Sequence, residues 1–472
     1  MGEEIEREKF DDADFAQFAR RLADETKYAA SLFSDGKFSQ SGYSIGFEIE
    51  AWLLDHNFFP TPINETYLKT LSHPLVVPEL SRFNVEMNCT PLPLEGKAFS
   101  RALDELTTLW AHCEKVAHGL DANIVVIGTL PTIRNKDLSL DNMSALKRYH
   151  ALNNEVLRQR HGRPVRLAIE GRENLITEHR DVMLEAGTTS FQVHLKTPGA
   201  LAHRYYNASL MVCGPIIAAS ANAPFLFGRD LWDETRIPLF EQAVQLAGLH
   251  PTSNRVTFGS GYMQGSLAPW IEENLSEFPP LLPLLFDKPA SDLRHLQLHN
   301  GTIWRWNRPL IGFESDGTPH LRIEHRIMPA GPTFLDMIAN AALYIGAAHY
   351  LVMHDLDDAD TLPFKTARTN FYNAARYGLD AQLNWSGRTM TAERFLLDEL
   401  IPVAREGLDG FNIARTESEF FLDIVAARVT DWQTGANWQR KALAARKGNL
   451  FEMMAAYCEN QRSGEPVHGW SV

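Results

Sequence analysis

Hydrophobic and polar residues alternate along several short segments of the chain, which is the period of a β-strand with one apolar face. The clearest case is residues 45–54, where Phe47 and Ile49 face one way while Glu48 and Glu50 face the other. Apolar residues follow directly, so this strand is predicted to lie inside the protein. Two carboxylates on one face of a buried strand need a cation or a proton.

Three further segments repeat this pattern of one apolar and one polar face. The polar residues are Glu86 and Asn88 in segment 83–90, Gln192, His194 and Lys196 in segment 188–197, and Arg322, Glu324 and Arg326 in segment 320–328. Glu79 lies shortly before the first of these segments, and Arg308 lies shortly before the last. The sequence therefore predicts several polar strand faces, which a single sheet would bring together.

The remaining periodicity predicts helices between and after these strands. Apolar residues have helical spacing in residues 11–33, 97–120, 200–225, 334–353, 394–406 and 438–460. Additional strands are predicted at residues 123–128, 165–170 and 302–307. Residues 251–300 are rich in Gly, Ser, Pro and Leu and are predicted to form a loop-rich insertion.

The order of these elements predicts the fold class and the domain organisation. Strands and helices do not alternate regularly, which favours an α+β fold over a doubly wound sheet. We expect a single catalytic domain over residues 1–472, with its core in residues 43–330. Residues 331–472 are expected to form a mainly helical extension, and no strand is predicted there.

Composition and charge narrow the classes of function. The 472 residues are 44% apolar and 22% charged, as in ordinary globular proteins, and the net charge of -14 argues against binding to nucleic acid or anionic membranes. The apolar stretches 211–227 and 337–353 are interrupted by polar residues and are predicted to be buried helices. The acidic amino terminus does not resemble a secretory signal, and the cysteines form no C-x-x-C pair, so a cytoplasmic location is expected.

The candidate ligands indicate the chemistry. Carboxylates with a single imidazole form an oxygen-rich set that suits Mg²⁺ or Mn²⁺ better than Zn²⁺. Arginines beside such ions are typical of sites that bind nucleotide phosphates, so the combination predicts phosphoryl transfer. From the residues alone two alternatives stay open: the glutamates line a solvated strand face, or the arginines form only structural salt bridges with them.

The ordered set of motifs resembles the bacterial type of glutamate-cysteine ligase, a family of carboxylate-amine ligases in the glutamine synthetase superfamily. The similarity spans about residues 43–330. The matching features are a G-x-E-x-E strand at Gly46 to Glu50, two glutamates at Glu79 and Glu86 followed by Thr90-Pro91, a histidine at His194, Trp304 or Trp306 with Arg308, and an E-x-R strand at Glu324 and Arg326.

This resemblance implies a curved antiparallel sheet whose concave face binds ATP and divalent cations, with helices packed on the convex side. It also implies the role of each matching residue. The ligands of one Mg²⁺ or Mn²⁺ would be Glu48, His194 and Glu324, and those of a second would be Glu50, Glu79 and Glu86. The nucleotide-binding residues would be Arg308, Arg322, Arg326 and Gln192. Of these, Arg308 and Arg326 are also the expected catalytic residues.

The implied reaction joins two small molecules. The γ-carboxylate of glutamate would take a phosphoryl group from ATP, and an amine such as cysteine would then attack the acyl phosphate.

Two positions depart from the family pattern: Leu130 replaces the histidine of a G-T-H-P turn, and Met328 stands where an acidic residue is common. The alternative activities are phosphoryl transfer to a guanidino or other nitrogen, and nucleotide binding without catalysis.

Overall fold

Helices and strands are both abundant in the computed structural model, which describes residues 4–5, 7–246 and 254–472. The strands of this part of the chain are β1 (Ser44–Leu54), β2 (Val76–Pro78), β3 (Asn84–Asn88), β4 (Leu92–Pro93), β5 (Asn123–Val125), β6 (Val165–Glu170), β7 (Asn174–His179), β8 (Ser190–Thr197), β9 (Phe225–Leu226), β10 (Arg229–Asp230), β11 (Asn307–Phe313), β12 (Pro319–Pro329), β13 (Gln382–Trp385) and β14 (Arg388–Thr391). Its helices are α1 (Asp12–Ser34), α2 (Asn64–Leu71), α3 (Ala98–Gly119), α4 (Lys147–Gln159), α5 (Ala202–Ser220), α6 (Arg236–Ala243), α7 (Ala268–Glu277), α8 (Arg294–Gly301), α9 (Phe334–Met353), α10 (Phe364–Tyr377), α11 (Ala392–Phe395), α12 (Ile401–Gly410), α13 (Arg415–Thr430), α14 (Gly435–Ala445) and α15 (Leu450–Ser463).

The central element is a curled, eight-stranded sheet in which every pairing is antiparallel. Six strands follow one another in the order β11-β12-β8-β1-β3-β2, while β4 and β5 pair with the two ends of β1. Three two-stranded sheets lie apart from it. The mixture of helices with a curled antiparallel sheet confirms the predicted α+β fold class.

One face of the sheet packs against the most apolar helices, α5 and α9. The ring of His325 on β12 stacks on Tyr344 of α9 with their centroids 3.9 Å apart, and Asn307 on β11 donates a hydrogen bond to Cys213 of α5 over 3.1 Å. Every residue of β8 except Lys196 is buried. Because side chains alternate along each strand, the opposite face presents the polar residues.

The two long apolar stretches of the sequence lie largely in these buried helices, as predicted. The prediction is wrong for the end of the first stretch, because α5 ends at Ser220 and Phe225–Leu226 form β9. Among the described residues, α9 alone is long and apolar enough to cross a membrane. However, 89% of its 18-residue apolar window is buried inside the protein, as expected for a core helix. The helix begins at an N-cap, where the side chain of Thr333 accepts a hydrogen bond from the backbone of Asp336.

Most predicted strands and helices are present, but several boundaries were wrong. The strand expected at 302–307 is wrong: β11 begins at Asn307, so Trp304 precedes it. The helix expected over 438–460 is two helices, because Gly448 adopts a φ of 84° and Asn449 caps the second one. The loop-rich segment 251–300 also contains α7 and α8, while its positions 251–253 lie outside the described residues.

The carboxyl-terminal region is mainly helical, as expected, but the prediction that it contains no strand is wrong. β13 and β14 form a hairpin through Ser386 and Gly387, whose φ angles are 47° and 76°. Positive φ at both central residues defines the tight turn that suits a two-residue hairpin. The flanking strands are only four residues long, too short for a clear alternation of apolar and polar positions.

Candidate active site

The register of the sheet brings the predicted polar faces together. Glu50 on β1 lies directly opposite Glu86 on β3, and His194 on β8 lies opposite Glu324 on β12. Glu324 in turn lies opposite Arg308 on β11. These polar residues therefore span five neighbouring strands on the face that α5 and α9 leave uncovered.

One group of side chains, the histidine cluster, consists of Glu48, His194 and Glu324. A ligand atom from each lies within 4.8 Å of the others. His194 Nε2 is 3.1 Å from Glu48 Oε1 and 3.8 Å from Glu324 Oε1. On the other side of the ring, Arg322 Nε donates a hydrogen bond to His194 Nδ1 over 3.3 Å. A metal ion at Nε2 would require the ring proton on Nδ1, and Arg322 would then have to release this hydrogen bond.

Both carboxyl groups of the histidine cluster favour the charged form. Burial opposes ionisation of Glu48, but the imidazole of His194 outweighs it and lowers the pKa. Burial also opposes ionisation of Glu324, yet the guanidinium groups of Arg308 and Arg326 hold the pKa of that carboxyl well below its usual range. Both carboxyl groups of the histidine cluster are therefore ionised near neutral pH, as a cation site requires.

A second group, the glutamate cluster, consists of Glu50, Glu79 and Glu86, which also offer ligand atoms within 4.8 Å of one another. Glu50 is held in place by the backbone nitrogen and the hydroxyl of Ser190, over 2.7 Å and 2.9 Å. In contrast, the buried atoms Glu79 Oε1 and Glu86 Oε2 accept no hydrogen bond. Unsatisfied buried oxygens are rare in proteins and fit a site that takes a cation.

The electrostatics of the glutamate cluster are opposite to those of the histidine cluster. Burial raises the pKa of Glu50 to about 7, and the charge of Glu79 adds to that effect. Burial and the nearby carboxylates Glu48 and Glu79 raise the pKa of Glu86 well above its usual value, and burial raises that of Glu79. Burial and crowding therefore favour the protonated form of these carboxyl groups, and a bound cation would favour the charged form. Their all-oxygen chemistry suits Mg²⁺ or Mn²⁺.

The predicted phosphate-binding arginines both contact Glu324. Arg308 forms a two-pronged salt bridge with it, through Nε over 2.7 Å and Nη2 over 2.8 Å. Arg326 Nη1 donates to Glu324 over 3.1 Å and to Gln192 over 2.6 Å. The salt bridges are thus present, and both arginines also line a cavity that a phosphate group can enter. Their contact with phosphate stays a prediction.

Gln192 has a different position from the one expected of a nucleotide-binding residue. Its Nε2 donates to Glu50 over 3.1 Å while its Oε1 accepts from Arg326, so both ends of the amide are occupied. The side chain is buried and lines neither the large cavity of the site nor the small recess beside the glutamate cluster. In this arrangement Gln192 links Glu50 to Arg326.

Both clusters open into one large cavity with a volume of about 860 Å³. This volume is within the range of cofactor-binding pockets, roughly 300–1,000 Å³. The polar end is formed by Glu48, Glu50, Glu79, His194 and Glu324 together with Arg308, Arg322 and Arg326. The apolar wall includes Leu282, Leu284, Leu285, Phe286, Trp304 and Leu310. The cavity therefore offers cation ligands, arginines and an apolar surface at once.

Several residues of the site were not predicted from the sequence. Glu185 and Arg236 line the space beside the glutamate cluster, but neither lies on a strand with alternating residues. The apolar wall comes largely from the loop-rich segment, whose composition indicated only irregular structure. Trp306 is buried and donates its indole N–H to Glu241 over 2.9 Å, a packing role, whereas Trp304 lines the large cavity.

The two departures from the family pattern lie away from the site. The side chains of Leu130 and Met328 are fully buried and line neither cavity. Leu130 belongs to the hydrophobic core, and Met328 pairs with Phe191 across β12 and β8. Both residues therefore serve packing, and neither contributes a group to the walls of the cavity.

Comparisons with known proteins agree with this geometry. The sequence profile of glutamate-cysteine ligase family 2 matches residues 44–456. The glutamate-cysteine ligase of Francisella tularensis, solved in complex with AMP, has a TM-score of 0.57 at 11% identity, covering 90% of this chain and 90% of that chain. A bifunctional glutathione synthetase from Pasteurella multocida has a TM-score of 0.53 at 10% identity, covering 93% of this chain. The alignment includes 54% of that longer chain, so this protein spans about half its length.

No curated protein sequence matches the chain. At such low identity the solved structures establish only that this chain shares their fold. The family profile covers most of the chain, including the strands that carry both clusters. The chain therefore belongs to glutamate-cysteine ligase family 2, and it is an ATP-dependent ligase that forms amide bonds.

Proposed function

We propose that this ligase joins glutamate, through its γ-carboxylate, to an amine such as cysteine, using ATP with Mg²⁺ or Mn²⁺. The observation that carries the proposal is the pair of ligand clusters at one end of a single cavity. The carboxyl groups of one cluster favour the charged form, whereas burial and nearby carboxylates raise the pKa of Glu86 in the other. Two cation sites beside an arginine pair are what a transfer between a triphosphate and a carboxylate needs.

The physical need for these clusters is charge repulsion between the substrates. A carboxylate oxygen about 4 Å from a phosphate oxygen is repelled by roughly 4 kcal/mol at an effective dielectric constant of about 20. Glu48, His194 and Glu324 would hold one divalent ion against the phosphates of ATP. The glutamate cluster would hold another near the carboxylate that is activated. Cations at these places would neutralise the charge that opposes the approach of the two substrates.

The arginines are proposed to stabilise the transferring group. Arg308 and Arg326 would contact the γ-phosphoryl group with N–H groups that their bonds to Glu324 leave over. In Arg308 some of these are already shared, because Nη1 also donates to the carbonyl of Gly301 over 3.2 Å. Arg322 would bind an adjacent phosphate oxygen, and Gln192 would act by fixing Arg326. Because these donors are held in place before the reaction, they stabilise the charge of the transition state without reorganising.

The proposed reaction has two steps. In the first, the bond between the γ-phosphorus and the bridging oxygen of ATP breaks, and a bond from that phosphorus to the substrate carboxylate forms. In the second, the amine nitrogen attacks the acyl carbon, phosphate leaves, and the nitrogen loses a proton to a base. The second step requires exclusion of water, because water would hydrolyse the acyl phosphate. The apolar wall of the cavity is suited to that exclusion.

We further propose that the whole chain acts as a single catalytic domain in the cytoplasm. One hydrophobic core extends from Phe18 in α1 to Trp470 near the carboxyl end, which favours one cooperative unit. The structure of the Francisella tularensis ligase with AMP supports nucleotide as a substrate. Its function, and the glutathione synthesis of the Pasteurella multocida protein, are the reasons to test glutamate and cysteine first.

The test is release of ADP with Mg²⁺ or Mn²⁺ across amino acids supplied singly and in pairs. The proposal predicts release only when an acid and an amine are both present, with glutamate and cysteine the first pair to assay. Release with a single acceptor would instead support phosphoryl transfer to nitrogen. Binding of ATP without release under any condition would indicate an inactive homologue.

Matched variants connect the activity to the site. Glu48→Gln removes a charged ligand of the histidine cluster and is expected to lower turnover by at least about 100-fold, as for loss of a metal ligand's charge. Glu178→Gln removes a carboxylate from the exposed face of β7, which lines neither cavity, and is expected to leave turnover unchanged. Equal turnover in both variants would contradict the proposed site.

A further inference from the structure

A small recess extends from the large cavity past the glutamate cluster. Its volume is about 40 Å³, and it is continuous with the large cavity because Glu50, Glu79, Glu185 and Arg326 line both. Trp306 is among the residues that line only the recess. The recess is too small for a nucleotide but large enough for a few heavy atoms, since a water molecule needs roughly 10–15 Å³ by this kind of measure.

Glu185 is the one wall residue here whose charge has no partner. Its side chain makes no hydrogen bond or salt bridge with the described residues, and its Oε2 is buried. Its main chain, by contrast, is fixed: the nitrogen donates to Val182, and the carbonyl accepts from the nitrogen and the hydroxyl of Thr188. A rigid turn thus holds an unsatisfied carboxyl group at the wall of the recess.

The positive residues of the recess are already balanced by other carboxylates. Arg236, which is only 2% exposed, donates through Nη1 to Glu234 over 3.2 Å and to a backbone carbonyl. Arg326 donates to Glu324. Both arginines still have a buried Nε without a partner, so the walls are polar on two sides. Glu185 remains as the carboxyl group without a polar partner among the described residues, and a cationic group is the ligand that would satisfy its charged form.

We propose that the recess is the subsite for the amine substrate and that Glu185 binds its ammonium group. This inference rests on the proposed ligase function and names the kind of amine: a small primary amine that enters as a cation. Glu50 and Glu79 line the same recess, so an amine bound there lies next to the place where the activated carboxylate is held. The recess therefore holds the nitrogen beside the acyl carbon. The ammonium group must lose one proton before its lone pair can attack, and the carboxylate of Glu185 in contact with it is the group that would take that proton.

The electrostatics of Glu185 agree with this role. Burial raises the pKa of Glu185 to about 8, and the charges of Glu79 and Glu50 add to the shift. An ammonium group in contact with the carboxylate would favour its charged form. Of the residues lining the recess, Glu50 and Glu79 are assigned to the glutamate cluster, so Glu185 is the carboxylate left for the substrate.

The kinetic test compares Glu185→Gln with the wild-type enzyme and with Glu178→Gln, an exposed control seven positions upstream. The loss of one charge-assisted hydrogen bond is expected to raise the KM for cysteine by about 10-fold or more, leaving the KM for ATP and glutamate unchanged. Hydroxylamine, which is mostly neutral near pH 7, is expected to show the same KM in all three enzymes. Glu185→Asp should restore part of the affinity for cysteine.

A binding test does not depend on turnover. In the presence of Mg²⁺, methylammonium chloride is expected to raise the melting temperature of the wild-type protein, while tetramethylammonium chloride, which is too large for the recess, is not. Glu185→Gln should respond to neither salt. The proposal is overturned if the wild type and Glu185→Gln respond alike to methylammonium, or if their KM values for cysteine are equal. If no pair of acid and amine releases ADP, the proposed function fails while this binding test still decides the subsite.

Discussion

Removing one carboxyl group from the glutamate cluster is expected to stabilise the metal-free protein. Glu86 is fully buried, its Oε1 accepts a hydrogen bond from Asn88 over 2.9 Å, and its Oε2 has no partner. Glutamine at this position keeps the shape and the acceptor for Asn88. It also provides an N–H donor where the unpartnered oxygen stands, next to Glu50 and Glu79. Glu86→Gln therefore removes repulsion without leaving a cavity.

The magnitude follows from the geometry of the cluster. Two unit charges 4.8 Å apart repel by about 3.5 kcal/mol at an effective dielectric constant of about 20. Two such neighbours exceed the energy needed to keep Glu86 protonated at pH 8, about 5 kcal/mol for a group with an unfolded pKa of 4.5. Glu86 can take up a proton instead of staying charged, and this limits the loss of stability in the wild-type protein. Glu86→Gln is therefore expected to raise the free energy of unfolding by about 3–5 kcal/mol at pH 8.

The assay is equilibrium urea denaturation in EDTA at pH 8 and at pH 4.5. At the lower pH the unfolded chain also begins to bind the proton, so the gain should shrink to less than about 1 kcal/mol. Added Mg²⁺ is expected to stabilise the wild type, by about 2.7 kcal/mol at 100 times its Kd, but to stabilise the variant much less. The reasoning is refuted if Glu86→Gln is less stable than wild type at pH 8.

A buried glutamate that does have partners provides the control. Glu25 is 2.5 Å from Nδ1 of His295 and accepts a hydrogen bond from the backbone nitrogen of Leu296 over 2.8 Å. Glu25→Gln is therefore expected to destabilise the protein by about 1–3 kcal/mol, the opposite sign from Glu86→Gln. A gain in stability for both variants would show that burial alone, rather than crowding of carboxylates, controls the effect.

Three further predictions follow from the same contacts. Glu185 alone should lower the stability in EDTA by about 1.6 kcal/mol between pH 6.5 and 8, because its raised pKa, about 8, keeps a proton in the folded state that the unfolded chain has lost; constant or rising stability in urea titrations would contradict it. Arg308→Lys replaces the two-pronged bond to Glu324 and should cost about 1.5–3 kcal/mol in the same titrations, an expectation that unchanged stability would disprove. EDTA should abolish ADP release and excess Mg²⁺ should restore it; turnover that persists in the chelator would be inconsistent with both cation sites.

Much of the sheet could be predicted because its strands have one apolar face. Alternation over 45–54 and 188–197 identifies both the strands and the direction in which Glu48, Glu50 and His194 point. Once these strands are neighbours, the side-chain period of two brings the polar residues together without further information. The six side chains predicted as ligands lie in the two sets of three that were expected, while their binding of a cation stays a prediction.

The features that were missed have no periodic pattern. Glu185 lies in a single irregular turn before β8, so only the folded chain shows that it reaches the glutamate cluster. The apolar wall of the cavity is built from proline-rich and leucine-rich loop residues, whose composition contains no strand or helix period. The pairing of both arginines with Glu324 depends on the register between β11 and β12 and on a bulge near Arg326.

The proposed chemistry depends on two divalent cations that bind at the two clusters. The most direct measurement is a crystal structure of the protein with Mn²⁺ and a non-hydrolysable analogue of ATP, with data collected at a wavelength that gives anomalous signal from manganese. We expect one anomalous peak among Glu48, His194 and Glu324. We expect another among Glu50, Glu79 and Glu86. Manganese peaks confined to other parts of the molecule, with the nucleotide bound in the cavity, would contradict it.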